Sequence, residues 1–297
     1  MTIVESALER ARELSEGVPP RTGPPFAPTV LSPVARVAPP PPVIGSVHPI
    51  NRIRPQPLQV DTAACRENRL LLSGEESDAG AVAAYRMLRT RLLHRIRAQK
   101  WTTIGVTSTG PGDGKTLTAL NLAFSLAREK NSEVVLLDLD MRNPSISRTL
   151  GVLPPREISD FFERQPVTND LFYSIGVDNL MIAGQVTPTD QASELLSSNR
   201  FEELIAHIKQ STVNPIVLID LPPVLVTDDA LVLAPRLDAL LLVVAEGQTD
   251  RGQLDKATEL LSEFQLAGIV LNRASVQRGQ DAYGYDANYG YGSRKKT

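Results

Sequence analysis

A glycine-rich loop between a strand pattern and a helix pattern is the feature that most constrains the fold of this chain. The loop, residues 109–116, reads Thr-Gly-Pro-Gly-Asp-Gly-Lys-Thr, between an apolar stretch at 102–107 and a helix-patterned stretch at 117–128. Glycines let a backbone turn its N–H groups inward around an anion, and the following helix directs its positive dipole end to the same anion. The arrangement predicts a binding loop for a nucleoside triphosphate.

Two side chains at the end of the loop have expected roles. Lys115 is positioned to reach the outer phosphates, and the Thr116 hydroxyl to ligate Mg²⁺. The strict loop pattern opens with glycine, whereas this chain has Thr109 there. The remaining expected nucleotide contacts are Gly110, Gly112, Asp113 and Gly114.

Strand and helix patterns alternate from residue 102 onward. The predicted strands are 102–107, 133–138, 179–183, 215–220, 237–244 and 266–271. The predicted helices are 81–99, 115–129, 157–164, 190–196, 199–210 and 250–264. Several strands are continuous apolar runs, which a parallel sheet buried on both faces requires. We therefore expect an α/β, doubly wound, mostly parallel sheet with helices on both faces, and a ligand site at the carboxyl ends of its strands.

Three aspartates follow predicted strands on the edge that carries the phosphate loop. Asp138 and Asp140 end one strand and Asp220 ends another. Carboxylates there are costly to bury unless positive charge neutralises them, which Mg²⁺, Lys115 and Arg142 would supply. The expected metal ligands are Thr116, Asp138 and Asp220.

Composition limits the remaining possibilities. The chain has 297 residues, 42% of them apolar, which is enough for a buried core in at least part of it. A net charge of −3 gives no reason to expect nucleic acid as a partner. Cys65 is the single cysteine, so an intrachain disulfide is impossible. The sequence shows neither a secretion signal nor a membrane span, and we expect a cytoplasmic protein, with attachment to the inner membrane through a partner left open.

Four regions are expected along the chain. Residues 1–17 have the pattern of a short amphipathic helix, and residues 18–79 form a proline-rich linker with a poorly defined end. Thirteen of the 23 prolines lie between Val18 and Leu58, which predicts an extended, disordered arm. We expect residues 80–273 to form the α/β domain that carries the phosphate loop. In its first helix we expect an apolar stripe opposite a basic surface; the stripe residues are Ala83, Met87, Leu88, Leu92 and Ile96.

The last region, residues 274–297, is rich in tyrosine and glycine. It has too little apolar area to fold alone and is expected to be flexible. Four of the chain's six tyrosines lie within nine residues: Tyr283, Tyr285, Tyr289 and Tyr291. A mobile segment of this kind can enter an active site as a phosphate acceptor. A flexible terminus without an acceptor role is the alternative.

At these motifs the chain resembles the bacterial tyrosine kinases of capsular and exopolysaccharide loci, and in particular their soluble autokinases within the MinD/ParA-related P-loop superfamily. The resemblance covers roughly residues 80 to 291. It rests on the phosphate loop, on Asp-Leu-Asp-Met-Arg at 138–142, on Asp-Leu-Pro-Pro at 220–223 and on the tyrosine cluster.

The resemblance implies an ATP-dependent protein-tyrosine autokinase that phosphorylates its own tail and regulates polysaccharide polymerisation or export. It implies Lys115 and three carboxylates as catalytic groups, with Asp138 as the base, Asp140 assisting with metal or phosphate, and Asp220 organising Mg²⁺. Arg142 would either bind an incoming phosphotyrosine or steady the phosphates of the nucleotide. Asn272 would then read the adenine edge, although an ordinary turn residue is an alternative.

The resemblance further implies a separate membrane-anchored activator and self-association. The family's oligomerisation helix usually reads Glu-x-x-Arg-x-x-Arg, whereas this chain has Ala83 before Arg86 and Arg89. The acidic member is absent, which puts the associated ring assembly in doubt.

Two other functions stay open. One is a ParA- or MinD-like ATPase that acts as a nucleotide-switched dimer without kinase activity. Such ATPases carry a signature lysine early in the phosphate loop, where this chain has Gly110, and they lack a tyrosine tail. The other is an interaction protein that binds ATP without turnover and uses its proline-rich arm as a scaffold.

Overall fold

The structure, a computed structural model, describes residues 52–72, 79–163 and 165–274. The predicted amino-terminal helix, the proline-rich residues before 52 and the four tail tyrosines lie outside the described residues. The fold and site below are those of the described part.

An eight-stranded sheet forms the centre of the described fold. Its strands are β1 (Gln56–Pro57), β2 (Thr103–Ser108), β3 (Val134–Asp138), β4 (Tyr173–Ser174), β5 (Leu180–Ala183), β6 (Ile216–Asp220), β7 (Ala239–Ala245) and β8 (Leu266–Asn272). Their order is β1-β4-β5-β3-β6-β2-β7-β8, and every neighbouring pair is parallel except β4 with β5. The predicted mostly parallel sheet is confirmed.

Nine α-helices accompany the sheet in the described residues. They are α1 (Thr62–Glu67), α2 (Ala79–Gln99), α3 (Lys115–Leu126), α4 (Ile146–Leu150), α5 (Ile158–Phe162), α6 (Ala192–Ser197), α7 (Arg200–Ser211), α8 (Asp229–Leu233) and α9 (Arg251–Leu260). Two short 3-10 turns lie at Asn169–Leu171 and Ala234–Arg236.

Each central strand is buried on both faces. In β3, Val135 and Leu137 belong to one apolar cluster with residues of α5 to α9, while Val134 and Leu136 belong to a second with residues of α1 to α4. This division follows from the strand geometry, because successive side chains point to opposite faces. The prediction of helices on both faces is therefore confirmed.

The first long helix buries a different stripe from the predicted one. In α2 the fully buried residues are Leu92, Leu93 and Ile96, whereas Ala83 is exposed and Met87 is 46% exposed. At 100° per residue, Met87 lies roughly 140° around the helix from Leu92. The predicted stripe was therefore wrong at Ala83 and Met87, because it followed apolar character over too wide an arc.

The folded unit begins before residue 80. Residues 52–72 belong to it: β1 pairs with β4, and Ile53, Cys65 and Leu70 are buried in its core. Within this stretch α1 is capped by Asp61, whose side chain accepts from two backbone N–H groups. The apolar residues here are too widely spaced to have indicated an element. The other predicted domain boundaries stay predictions.

Two more findings concern the whole of the described part. Five of the strands and α-helices were not predicted, namely β1, β4, α1, α4 and α8, each six residues long or shorter. Among the described residues, no helix combines the length and the apolar character that a membrane crossing needs.

Candidate active site

The carboxyl ends of three central strands bring the predicted site residues to one edge of the sheet. β2 lies between β6 and β7, and the phosphate loop leaves its end. Asp138 at the end of β3 and Asp220 at the end of β6 are direct register partners. Parallel pairing alone therefore places these two carboxylates next to each other, beside the loop.

Lys115 is the first residue of α3 and lies against two of the three aspartates. Its Nζ is 2.7 Å from Asp140 Oδ2 and 3.4 Å from both carboxylate oxygens of Asp220. All three side chains are nearly or fully buried. Burial alone lowers the pKa of Lys115, but the charges of Asp220 and Asp140 outweigh it and raise that pKa above its ordinary value.

Thr116 connects the phosphate loop with Asp220 and with a serine that the sequence analysis did not identify. Its hydroxyl donates to Asp220 Oδ2 at 2.6 Å and lies 2.9 Å from Ser145 Oγ. The single proton of Thr116 goes to Asp220, so Ser145 is the donor in the second contact. Ser145 carries no motif signal of its own, because it follows the Asp-x-Asp-x-Arg pattern by three residues.

Asp138 is fully buried and only one of its oxygens is used. Oδ2 accepts from the backbone N–H groups of Ser145 and Ile146, at 3.0 and 2.9 Å, where α4 begins. Oδ1 has no hydrogen-bond partner among the described residues. Burial first, and then the charge of Asp220, raise the pKa of Asp138 from 3.8 to about 8. A buried oxygen without a partner is costly, which favours a proton or a cation at this position.

The pKa of Asp220 is also raised, as that of Asp138 is. Asp220 is fully buried, and burial raises its pKa above the ordinary value, although Lys115 and the Thr116 hydroxyl oppose the shift. At this edge, one lysine therefore faces more carboxylate charge than it can neutralise.

The phosphate loop has the backbone form that its glycines predict. Gly112 and Gly114 have φ angles of 80° and 92°, in the left-handed region that favours glycine. The Asp113 carboxylate folds back and accepts from the Gly110 N–H at 2.8 Å and from the Thr109 hydroxyl. The hydrogen bonds of Asp113 thus stabilise the loop itself. Thr109, which stands where the strict loop pattern has glycine, donates one of these hydrogen bonds through its hydroxyl.

Asn272 ends β8 directly behind the loop. Its Nδ2 donates to the backbone oxygen of Asp113 at 2.8 Å. The predicted adenine contact of Asn272 stays a prediction. What the structure adds is a contact with the loop backbone.

Arg142 is held by a different set of partners. Its Nε donates to Asp229 Oδ2 at 2.8 Å, and one terminal nitrogen donates to the Ser193 hydroxyl at 3.1 Å. The hydrogen bond from Arg142 to Asp229 raises the pKa of Arg142. Asp229 lies on α8 and Ser193 on α6, so the contacts that fix Arg142 are separate from those of Lys115. Its predicted contact with phosphate stays a prediction.

Comparison with known proteins assigns this arrangement to a family. A family model described as ParA, NUBPL iron-transfer P-loop NTPase, matches residues 100–285. The chain is 33% identical over 190 residues to a tyrosine-protein kinase, CpsD, of Streptococcus pneumoniae serotype 4, covering 61% of this chain and 80% of that one. It is 30% identical over 198 residues to the tyrosine-protein kinase CpsD of Streptococcus agalactiae, covering 65% and 83%.

A solved structure agrees with the sequence relatives. The kinase domain of VpsO is 28% identical and superposes with a TM-score of 0.58, covering 66% of this chain and 95% of that domain. The resemblance based on the three motifs is confirmed, and the fold implies nucleotide binding. The chain belongs to the bacterial tyrosine kinase family, within the ParA-related P-loop NTPases.

Proposed function

We propose that this chain is an ATP-dependent protein-tyrosine autokinase whose acceptors are the four clustered tail tyrosines, Tyr283, Tyr285, Tyr289 and Tyr291. One observation carries the proposal: Lys115, Thr116 and three buried aspartates meet at the strand edge that bears the phosphate loop. The kinase relatives support the same reaction.

The donors at this edge fit Mg²⁺. Among the described residues, no group of three or more His, Cys, Asp and Glu side chains forms a complete metal cage. Mg²⁺ does not require one, because it usually takes one or two carboxylates and completes its shell with water and substrate phosphate oxygens. Asp220 and the Thr116 hydroxyl are oxygen donors of this kind. Asp138 Oδ1 was also expected as a metal ligand, but one oxygen cannot serve both tasks, and we assign it to the proton of the tyrosine. When bound, Mg²⁺ would neutralise charge on the phosphates.

The reaction assigns a separate task to each side chain. Asp138 Oδ1 accepts the phenol proton of the tyrosine as the phenol oxygen bonds to the γ-phosphorus. The bond between that phosphorus and the bridging oxygen breaks, and ADP leaves with the bridging oxygen. A phenol with a pKa near 10 is almost fully protonated at neutral pH. A base whose pKa is raised to about 8 is better matched to this proton than an ordinary carboxylate. Lys115 stabilises charge on the transferring group.

The tail can reach a site on another copy. Residue 274 is the last described residue, and the acceptor tyrosines follow it by nine to 17 positions. At full extension, such a tether spans roughly 30 to 60 Å. We therefore expect phosphorylation between subunits to be favoured. Self-association and a separate membrane-anchored activator are part of the proposal, as is regulation of polysaccharide polymerisation or export.

Mass mapping of phosphate after incubation with ATP, Mg²⁺ and a matched activator tests the function. We expect phosphate on the four tail tyrosines. Lys115→Ala should abolish it, and Asp138→Asn should lower the rate by about 10² or more. Asp178→Asn is a matched control, because this exposed aspartate precedes β5 at the opposite edge of the sheet and should leave the rate unchanged.

Truncation after Arg278 separates the tail from the site. Nucleotide affinity should stay as in the full chain, while most autophosphorylation disappears. Hydrolysis of ATP without any phosphotyrosine would instead favour the nucleotide-switched ATPase. Loss of nucleotide binding on truncation would mean that the tail is structural.

A further inference from the structure

The phosphate loop has a second set of contacts on its outer side. A loop that turns its N–H groups toward an anion turns its carbonyl oxygens outward, where side chains of neighbouring elements can donate to them. Three consecutive carbonyl oxygens of the loop each accept from a side chain that is distant in sequence. The pairs are Gln248 Nε2 to Pro111 O at 2.7 Å, Arg273 Nη2 to Gly112 O at 2.8 Å, and Asn272 Nδ2 to Asp113 O at 2.8 Å.

The donors are also joined to each other. Arg273 Nη1 donates to Gln248 Oε1 at 2.7 Å, so the Gln248 amide accepts from the arginine while it donates to the loop. Arg273 has a φ of 56°, and Asn272 ends β8 just before it. The three side chains therefore come from the ends of two neighbouring strands, β7 and β8.

Glycine is what allows these donors to lie so close to the loop. A Cβ on Gly114 would lie 2.1 Å from Asn272 Nδ2, and a Cβ on Gly112 would lie 3.1 Å from Gln248 Nε2. Both glycines also have positive φ. The loop glycines thus serve the outer contacts as well as the inward turn.

We propose that Gln248, Asn272 and Arg273 form an outer collar that holds the phosphate loop in its anion-binding conformation before nucleotide arrives. A loop fixed in advance loses less conformational entropy on binding, so its affinity is higher. The collar acts on the backbone through the loop carbonyls. Its members are positioning residues, and the proposal rests on nucleotide binding by this loop.

The tyrosine-rich segment follows shortly after a residue of the collar. Arg273 is followed by one further described residue, after which the tyrosine-rich segment starts. In this arrangement the chain that carries the proposed acceptors leaves the fold from the back of the nucleotide loop.

Binding of fluorescent mant-ADP to the full chain tests the collar. Arg273→Ala and Gln248→Ala should each raise the Kd about fivefold, since each removes a hydrogen bond worth roughly 1 kcal/mol. Because the two side chains bond to each other, the double variant should lose less than the product of the single effects. Arg273→Lys keeps a cationic donor but lacks the two separate terminal nitrogens with which arginine reaches the two acceptors, and should lie between wild type and Arg273→Ala.

A second readout separates the collar from a general loss of stability and from direct contact with the ligand. In nucleotide-free protein, hydrogen exchange of the amides in residues 110–116 should be faster in Arg273→Ala, while Tm falls by no more than about 2 to 4 °C. Arg251→Ala is the matched control, because this exposed arginine is paired with Asp255 and does not contact the loop. It should change neither Kd nor exchange.

Unchanged exchange and unchanged Kd in Arg273→Ala would overturn the collar, as would strictly multiplicative effects in the double variant. These readouts are independent of phosphotyrosine formation. A wild-type protein that binds mant-ADP but makes no phosphotyrosine with ATP, Mg²⁺ and a matched activator would refute the autokinase and leave the collar intact.

Discussion

At the scale of single residues, charge balance dominates the site. Asp138, Asp140 and Asp220 are buried, and of the cationic side chains in the described ranges Lys115 is the one paired with them. Isolated buried charges are expensive, so the excess negative charge favours uptake of either a proton or a divalent cation. The raised pKa values of Asp138 and Asp220 express the first option, and the proposed Mg²⁺ the second.

This balance predicts a pH-dependent stability of the metal-free protein. The pKa of Asp138 is raised to about 8 in the folded protein, against 3.8 as its ordinary value. Between these values the folded state binds more protons than the unfolded state, so the free energy of unfolding falls as the pH rises from about 4 to about 8. The shift of Asp220 has the same sign. Urea denaturation with EDTA at pH 6, 7 and 8 measures the fall.

Comparing the free energy of unfolding of wild type and Asp138→Asn shows how much of its fall with pH is due to Asp138. His207 titrates in the same range with the opposite effect, since burial lowers its pKa, so the difference between wild type and variant is the relevant quantity. The variant should lose much of the decline with pH, and Asp178→Asn should keep all of it. An identical decline in Asp138→Asn would show that this carboxyl ionises normally in the fold.

At the scale of elements, burial on two faces explains which predictions were correct. β7 is apolar along its whole length, and β3 and β6 are apolar up to the aspartate that ends each of them, so all three were recognisable from composition alone. β1 and β4 have two residues each and α4 has five, too few to show a period. These short elements exist because the chain around them is already fixed by the sheet.

Some residues around the site could also be predicted from the sequence, and others could not. Lys115, Thr116 and the three aspartates were predictable, because each occupies a set position after a strand or in the loop. Gln248 was not, since it lies 137 residues from the carbonyl that it binds and no local pattern marks it. Contacts of this kind depend on strand order, which the sequence alone did not specify.

Asp238 provides a test of how two strands are aligned. It precedes β7, and its Oδ2 accepts from the backbone N–H groups of Thr102 and Thr103, at 2.7 and 2.9 Å, where β2 begins. Asp238→Ala should lower the free energy of unfolding by about 1 to 3 kcal/mol, because both N–H groups lose their acceptor. Asp178→Ala is the exposed control and should change it little.

The pH dependence of that difference checks the mechanism. Partial burial alone raises the pKa of Asp238, but the hydrogen bonds from Thr103 and Thr102 outweigh it and hold the pKa below 3.8. Its stabilising effect is therefore complete above about pH 4 and is lost as the pH falls through the folded pKa. A gap between wild type and variant that persists at pH 2 would contradict the assignment.

At the scale of the whole described molecule, the segment before residue 80 supports the site through one intermediate helix. Asp61 N donates to Leu150 O at 3.2 Å, and Asn68 Nδ2 donates to Thr149 O at 3.1 Å, both at the end of α4. The beginning of α4 donates to Asp138. Residues 52–72 thus form part of the fold that positions the proposed base.

Leu70→Ala in the full chain tests this arrangement. Leu70 is 8% exposed and belongs to the same buried apolar cluster as Leu92 and Leu93 of α2, so its truncation leaves a cavity and should cost about 2 to 5 kcal/mol. Leu153 is 78% exposed, and Leu153→Ala should change the free energy of unfolding by less than about 0.5 kcal/mol. If the two variants are equally stable in urea, residues 52–72 belong to the linker that the sequence analysis predicted. A large cost confined to Leu70 would show that the folded unit begins before residue 70.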